Sequence, residues 1–258
     1  MRRELRAEWT KVRTVAGPGW LLLALVVLTV GVGAVAVNAV TCASAGCGQD
    51  AIRLGLVGVQ VGQAMVALLT VVAVCGEYGS GMISTSLVAV PRRVTLLAAK
   101  AGVVTGLTAA GGSVAVLGSL LVAGVLLPES GFTPSHGYPP LSLADGPTLR
   151  AAAGSVLYLV LIALLSLGVA AAVRDSAVSA GVVLGILYLL PLAVRLVSDE
   201  DTQRMLWRLA PTNAGLTVQA TTDLAVLPIG PWEGIGVLAC WTAAALLAGA
   251  LLLRTRDA

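Results

Sequence analysis

The chain has 258 residues, 57% of them hydrophobic and 11% charged, with 16 Lys and Arg against 13 Asp and Glu. At a mean hydropathy of +0.94, this composition excludes an ordinary soluble globular domain and implies an integral membrane protein. The net charge of +3 decides little, because in a membrane protein the side on which each charge lies matters more than the sum.

Residues 1–18 carry Arg2, Arg3, Arg6, Lys11 and Arg13, while Leu5, Trp9, Val12 and Ala16 gather on one helical face. This pattern predicts an amphipathic helix on the membrane surface. A signal-peptide n-region is the other reading, drawing on Ala43-Ser44-Ala45, which resembles a cleavage site. The apolar run from Trp20 to about Val40 is long for a signal core and suits a span. Five more apolar stretches, near 55–75, 101–127, 151–173, 176–197 and 232–253, fit the roughly 20 residues that cross a bilayer core. Only Arg174-Asp175 parts the fourth from the fifth, which predicts a tight helical hairpin. The expected fold is an all-α membrane protein: six transmembrane helices in one domain over 19–258, preceded by the surface helix over 1–18. Polar connections lie at 41–54, 128–150 and 198–231, with a further polar interruption at 76–100.

Eleven of the 16 Lys and Arg fall on the side holding the N-terminus, the 76–100 segment, Arg174 and the C-terminal tail. That side is read as cytoplasmic, with both termini inside a bacterial cytoplasmic membrane. Lys11 and Lys100 are the only lysines, and the Arg, Ala, Gly, Val and Leu bias points to a high-GC bacterial genome.

Within the spans, Gly58-x3-Gly62, Gly102-x3-Gly106 and Gly181-x3-Gly185 are patterns that let helices approach closely. Gln60 and Gln63 either line a pathway or hydrogen-bond a neighbouring helix. Pro191 is expected to kink the fifth span and free a carbonyl one turn earlier. Cys75 and Cys240 read as small buried hydrophobes. Cys42 and Cys47 share a polar loop; they close a disulfide where that loop faces an oxidising compartment, and otherwise stay thiols.

The sequence lacks GxxxxGK[ST] and HExxH, and its cysteines lack metal-site spacing. The single histidine, His136, reads as a solvated residue of a proline-rich loop. The middle of every proposed span is free of Asp, Glu, Lys and Arg, which disfavours an ion-coupled carrier and an intramembrane enzyme. The chain is expected to be no enzyme, with no metal or cofactor of its own and no nucleic-acid partner.

The stretch from Gly76 to Lys100, GEYGSGMISTSLVAVPRRVTLLAAK, follows an N-terminal RAEWTKVRT and two spans, and Pro211 to Gly215 (PTNAG) precedes the last span. In this order and spacing the chain resembles the permease subunit of type-2 ABC exporters, in the form common in actinobacteria. The resemblance covers nearly the whole chain. It implies that Glu77, Tyr78, Gly79 and Gly81, with the turn through Ser84, form a cytoplasmic coupling element docked on a separate ATPase subunit, which binds the ATP. A carboxylate, an aromatic ring and glycines at a helix end suit a charge-assisted contact with a soluble partner; the plainer role for Glu77 is to end a helix among headgroups. The sequence departs from its relatives at Gly79 and Met82, where a basic and a small hydroxyl residue are common. Arg92 and Arg93 are expected to meet lipid phosphates, and residues 205–225 to form short helices capping the outer end. The resemblance further implies a second permease chain, and the apolar spans favour an amphipathic or hydrophobic substrate. The alternative is a non-transporting membrane subunit that tethers a soluble protein or senses an envelope ligand.

Overall fold

A computed structural model of the chain describes residues 16–42, 47–79 and 93–255. Among these residues all regular structure is helical: α1 (Ala16–Ala39), α2 (Ala51–Gly55), α3 (Val59–Gly79), α4 (Arg93–Glu129), α5 (Gly146–Val173), α6 (Ser176–Leu184), α7 (Leu190–Arg195), α8 (Glu200–Leu209), α9 (Pro211–Gly215) and α10 (Pro231–Thr255). Six segments are long and apolar enough to cross a bilayer: Gly17–Ala39, Val59–Gly76, Leu97–Glu129, Gly146–Val173, Ser176–Arg195 and Pro231–Leu253. The protein is an all-α membrane protein with six spans, in the order that the apolar runs predict. The first span helix already begins at Ala16, so residues 16–18 belong to it rather than to a separate surface helix. The remainder of that expected surface helix, 1–15, lies outside the described residues.

Helices α3 and α5 run through the middle of the bundle, and α1, α4, α6 and α10 pack around them. The core forms where α5 places Tyr158, Leu159 and Ile162 against Leu25, Val66, Leu120, Leu187 and Leu238 from its neighbours. Of the three glycine patterns, the first is a close helix contact. A side chain at Gly58 would meet the Thr29 carbonyl oxygen of α1 at 1.9 Å, so only glycine lets α1 and α3 approach this far. The other two are not buried in this way, since a Cβ at Gly106 or Gly181 would meet nothing within 4 Å.

The Arg174-Asp175 hairpin forms as expected, and its two residues divide the work. Arg174 ends α5 in the left-handed region (φ 66°), its amide donating to the Ala170 carbonyl at 2.9 Å. Asp175 caps α6 by accepting from the Val178 amide at 2.8 Å. Among the described residues the connections gather at two ends of the bundle. The hairpin end carries the start of α1, the end of α3, the start of α4, Arg174-Asp175 and the end of α10. The loop end carries the connections around residues 40–58, 130–145 and 196–230.

Candidate functional site

The coupling element predicted around Glu77 begins where α3 ends at the hairpin end. Glu77, Tyr78 and Gly79 close that helix, but their side chains lie outside what is described, as do Gly81, Ser84 and Arg92 altogether.

One set of described polar groups lies instead inside the bundle, beside the fifth span. Gln63 is 1% exposed, and the Tyr158 hydroxyl of α5 donates to its Oε1. Gln60, one turn earlier on α3, is exposed, and its backbone carbonyl accepts from the Tyr188 hydroxyl at 2.5 Å. Gln63 thus hydrogen-bonds a neighbouring helix.

Between α6 and α7 the chain makes one π-turn, Gly185–Leu189, directly before Pro191. Proline has no N–H and its ring crowds the carbonyl four residues earlier, which here belongs to Leu187. That carbonyl is the one taken up from outside the helix: Thr212 Oγ1 donates to it at 3.1 Å. The expectation of a freed carbonyl is thus met by a specific partner, and a π-turn is a common form of such a break.

Thr212 reaches Leu187 because the chain folds back into the bundle after α8. Residues 211–219 form α9 and a 3₁₀ turn, and Pro211, Thr212, Ala214, Gly215, Val218 and Gln219 are all buried. A side chain at Gly215 would come within 2.7 Å of the Tyr158 ring, so glycine is needed for this close seat. Gln219 Nε2 donates to Ser155 Oγ at 3.0 Å, and Ser155 donates onward to the Ala151 carbonyl at 2.7 Å. The 205–225 region was expected to cap the outer end with short helices. It divides into an exposed part, α8, with no buried residue, and this inserted part. The Trp241 indole of α10 donates to the Leu209 carbonyl at 3.0 Å and fastens the end of α8.

At the loop end three connections are joined. Cys42 and Cys47 are bonded as a disulfide, their Cα atoms 5.8 Å apart, and the Cys42 amide donates to the Ser130 carbonyl at 2.8 Å. Asp50 caps α2 through the Arg53 amide at 3.0 Å and also accepts from Thr221 Oγ1 at 2.7 Å and the Thr222 amide at 3.1 Å. Arg150 Nη2 donates to the Ala220 carbonyl at 2.6 Å. His136, read as solvated, is partly buried, and its Nδ1 lies 2.7 Å from the Gly131 carbonyl as a turn lock.

Sequence reasoning missed Tyr158, Tyr188, Thr212 and Asp50. A signal existed for Asp50, since an Asp directly before a helical run is a capping sign. The threonine and the tyrosines carry no local mark. Chemically, the interior cluster is built mainly of hydroxyls donating to carbonyl oxygens, which holds helices in register at the point where one is broken. Compared with family models and with curated proteins, the sequence matches none.

Proposed function

We propose that the chain is the membrane permease subunit of an ATP-driven ABC exporter. It works with a separate ATPase subunit and a second permease chain, and moves an amphipathic or hydrophobic substrate by alternating access. The observation that carries this reading is the pairing of six spans with the Gly76–Lys100 segment between the second and third of them. In this reading a polar, Glu-Tyr-bearing stretch lies where a soluble partner can push on two helices. Since the chain has no P-loop, the energy must come from that partner, which can shift the spans only by binding their two arrangements unequally.

Two further features support the reading. The fifth span is broken at Gly185–Leu189 and its free carbonyl is held by a side chain, a construction that lets a membrane helix change its bend without stranding a backbone group. The open glycines Gly106 and Gly181 leave faces on which a second permease chain can seat. In this proposal the hairpin end is cytoplasmic, in accord with its excess of Lys and Arg. The disulfide at the loop end then faces the oxidising side. The protein sits in a bacterial plasma membrane and is not itself an enzyme.

The test is purification of the tagged chain from its host in mild detergent, followed by identification of co-purifying proteins and an ATP hydrolysis assay. An ATPase is expected with the wild type, and Glu77→Ala is expected to lose it or to uncouple its turnover. Recovery of no ATPase even after cross-linking would overturn the exporter reading in favour of a tether or sensor.

A further inference from the structure

Helix α8 carries the chain from the loop end back into the bundle. It starts five residues beyond Arg195, the loop-end limit of the fifth span, and its 10 residues measure about 15 Å. Two hydrogen bonds fix how deep it ends. The Leu209 carbonyl accepts from Trp241, which lies ten residues, about 15 Å, along the sixth span from Pro231. Just past the corner, Thr212 donates to the Leu187 carbonyl, eight residues or about 12 Å from Arg195. The chain then returns to the loop end, where Ala220 accepts from Arg150 and Thr221 donates to Asp50. The last turn of α8 therefore sits near the middle of a hydrocarbon core of about 30 Å.

This depth makes its charges informative. Arg204 and Arg208, four apart and so on one face, are both exposed. Arg204 meets Asp201 at 3.5 Å, whereas Arg208, one turn deeper, has no carboxylate partner among the described residues. Charged side chains at such depth face a polar space rather than acyl chains and mark ligand paths. Beside this basic flank lies an uncovered apolar one, with Met205 64% and Leu209 49% exposed. Glu200 and Asp201 stand in the first turn, so an anion is repelled at the outer end of the helix and drawn to its deep end.

We propose that the deep end of α8 binds an anionic amphiphile taken from the bilayer, its headgroup on Arg208 and its tail along Met205 and Leu209. A guanidinium suits such a head because its planar fork donates to two oxygens at once. The tail has an apolar surface to follow, since Leu192 of α7, against which α8 packs, is exposed as well. The inference stands apart from the exporter reading, since binding here needs no ATPase.

The test uses the full chain in phosphatidylcholine nanodiscs with a photoreactive alkyl sulfonate as probe. An unlabelled alkyl sulfonate and an alkanol of equal chain length serve as competitors. Saturable labelling is expected within residues 204–213, displaced by the sulfonate and about 10-fold less readily by the alkanol. Arg208→Gln is expected to weaken binding about 10-fold or more, the loss of a charge-assisted hydrogen bond. Arg208→Lys, which keeps the charge, is expected to weaken it less. Labelling that does not saturate, or unchanged affinity in Arg208→Gln, would overturn the proposal. Should that variant fail to insert, displacement from the wild type by the alkanol as readily as by the sulfonate overturns it alone.

Discussion

Tyr158 is the largest fully buried side chain among the described residues, and its hydroxyl meets Gln63 across two spans. Removing that hydroxyl leaves the Gln63 carbonyl without its donor, so Tyr158→Phe is expected to destabilise by about 0.5–2 kcal/mol, the range measured between membrane helices. Unfolding in mixed detergent micelles measures it, and Gln63→Leu should make the second change nearly silent. Asp199, outside the spans, accepts from the Thr202 amide at 2.8 Å. The Thr202 side chain and then this amide hold its carboxyl below the usual aspartate range. A lowered folded value means that the unfolded chain binds the proton more tightly. The cap therefore supports α8 above the ordinary aspartate pKa and is lost as pH falls through the lowered folded value. Titration of the Asp199 carboxyl carbon by NMR is expected to show a midpoint below that of a free aspartate.

The fifth span was legible as a broken helix from Pro191, because a missing N–H is a local fact. That Thr212 takes up the Leu187 carbonyl was not legible, because the two residues meet only after α8 turns the chain back into the bundle. Thr212→Val is expected to cost about 1 kcal/mol in the native chain. In a Pro191→Ala background the helix can satisfy Leu187 itself, so the same substitution should cost much less. A double-mutant cycle on unfolding free energies checks this, and simple additivity would contradict the bond's assigned role. The glycine patterns teach the same lesson. Three read alike, yet only Gly58 and Gly62 are pressed against another helix, at Thr29, because only there does α1 lie across the groove.

Across the whole molecule, the loop end is one hydrogen-bonded assembly rather than three separate connections. Asp50 ties the 47–58 region to Thr221 and Thr222, more than 170 positions away. Asp50→Ala removes an acceptor shared by several donors and is expected to cost about 1–3 kcal/mol. Its mark should be local: limited proteolysis is expected to cut within 220–230 in the variant and to spare the wild type. A global loss of the bundle with no preferential cut there would assign Asp50 a different role. The candidate coupling site remains a reading of residues 76–84 from the sequence, tested by the ATPase experiment.

The number and order of the spans were written in the sequence, because the bilayer demands a fixed length of apolar helix whatever that helix packs against. The tight hairpin at Arg174-Asp175 and the break at Pro191 belong with them, being consequences of neighbouring residues alone. The partners of the polar side chains came from the three-dimensional arrangement. Tyr158 and Gln63 lie 95 positions apart, and Asp50 and Thr221 lie 171 apart. No local pattern states which helix faces which, and in a uniformly apolar chain the hydrophobic effect does not choose between faces. Close packing and the need to satisfy each buried hydrogen-bonding group make that choice.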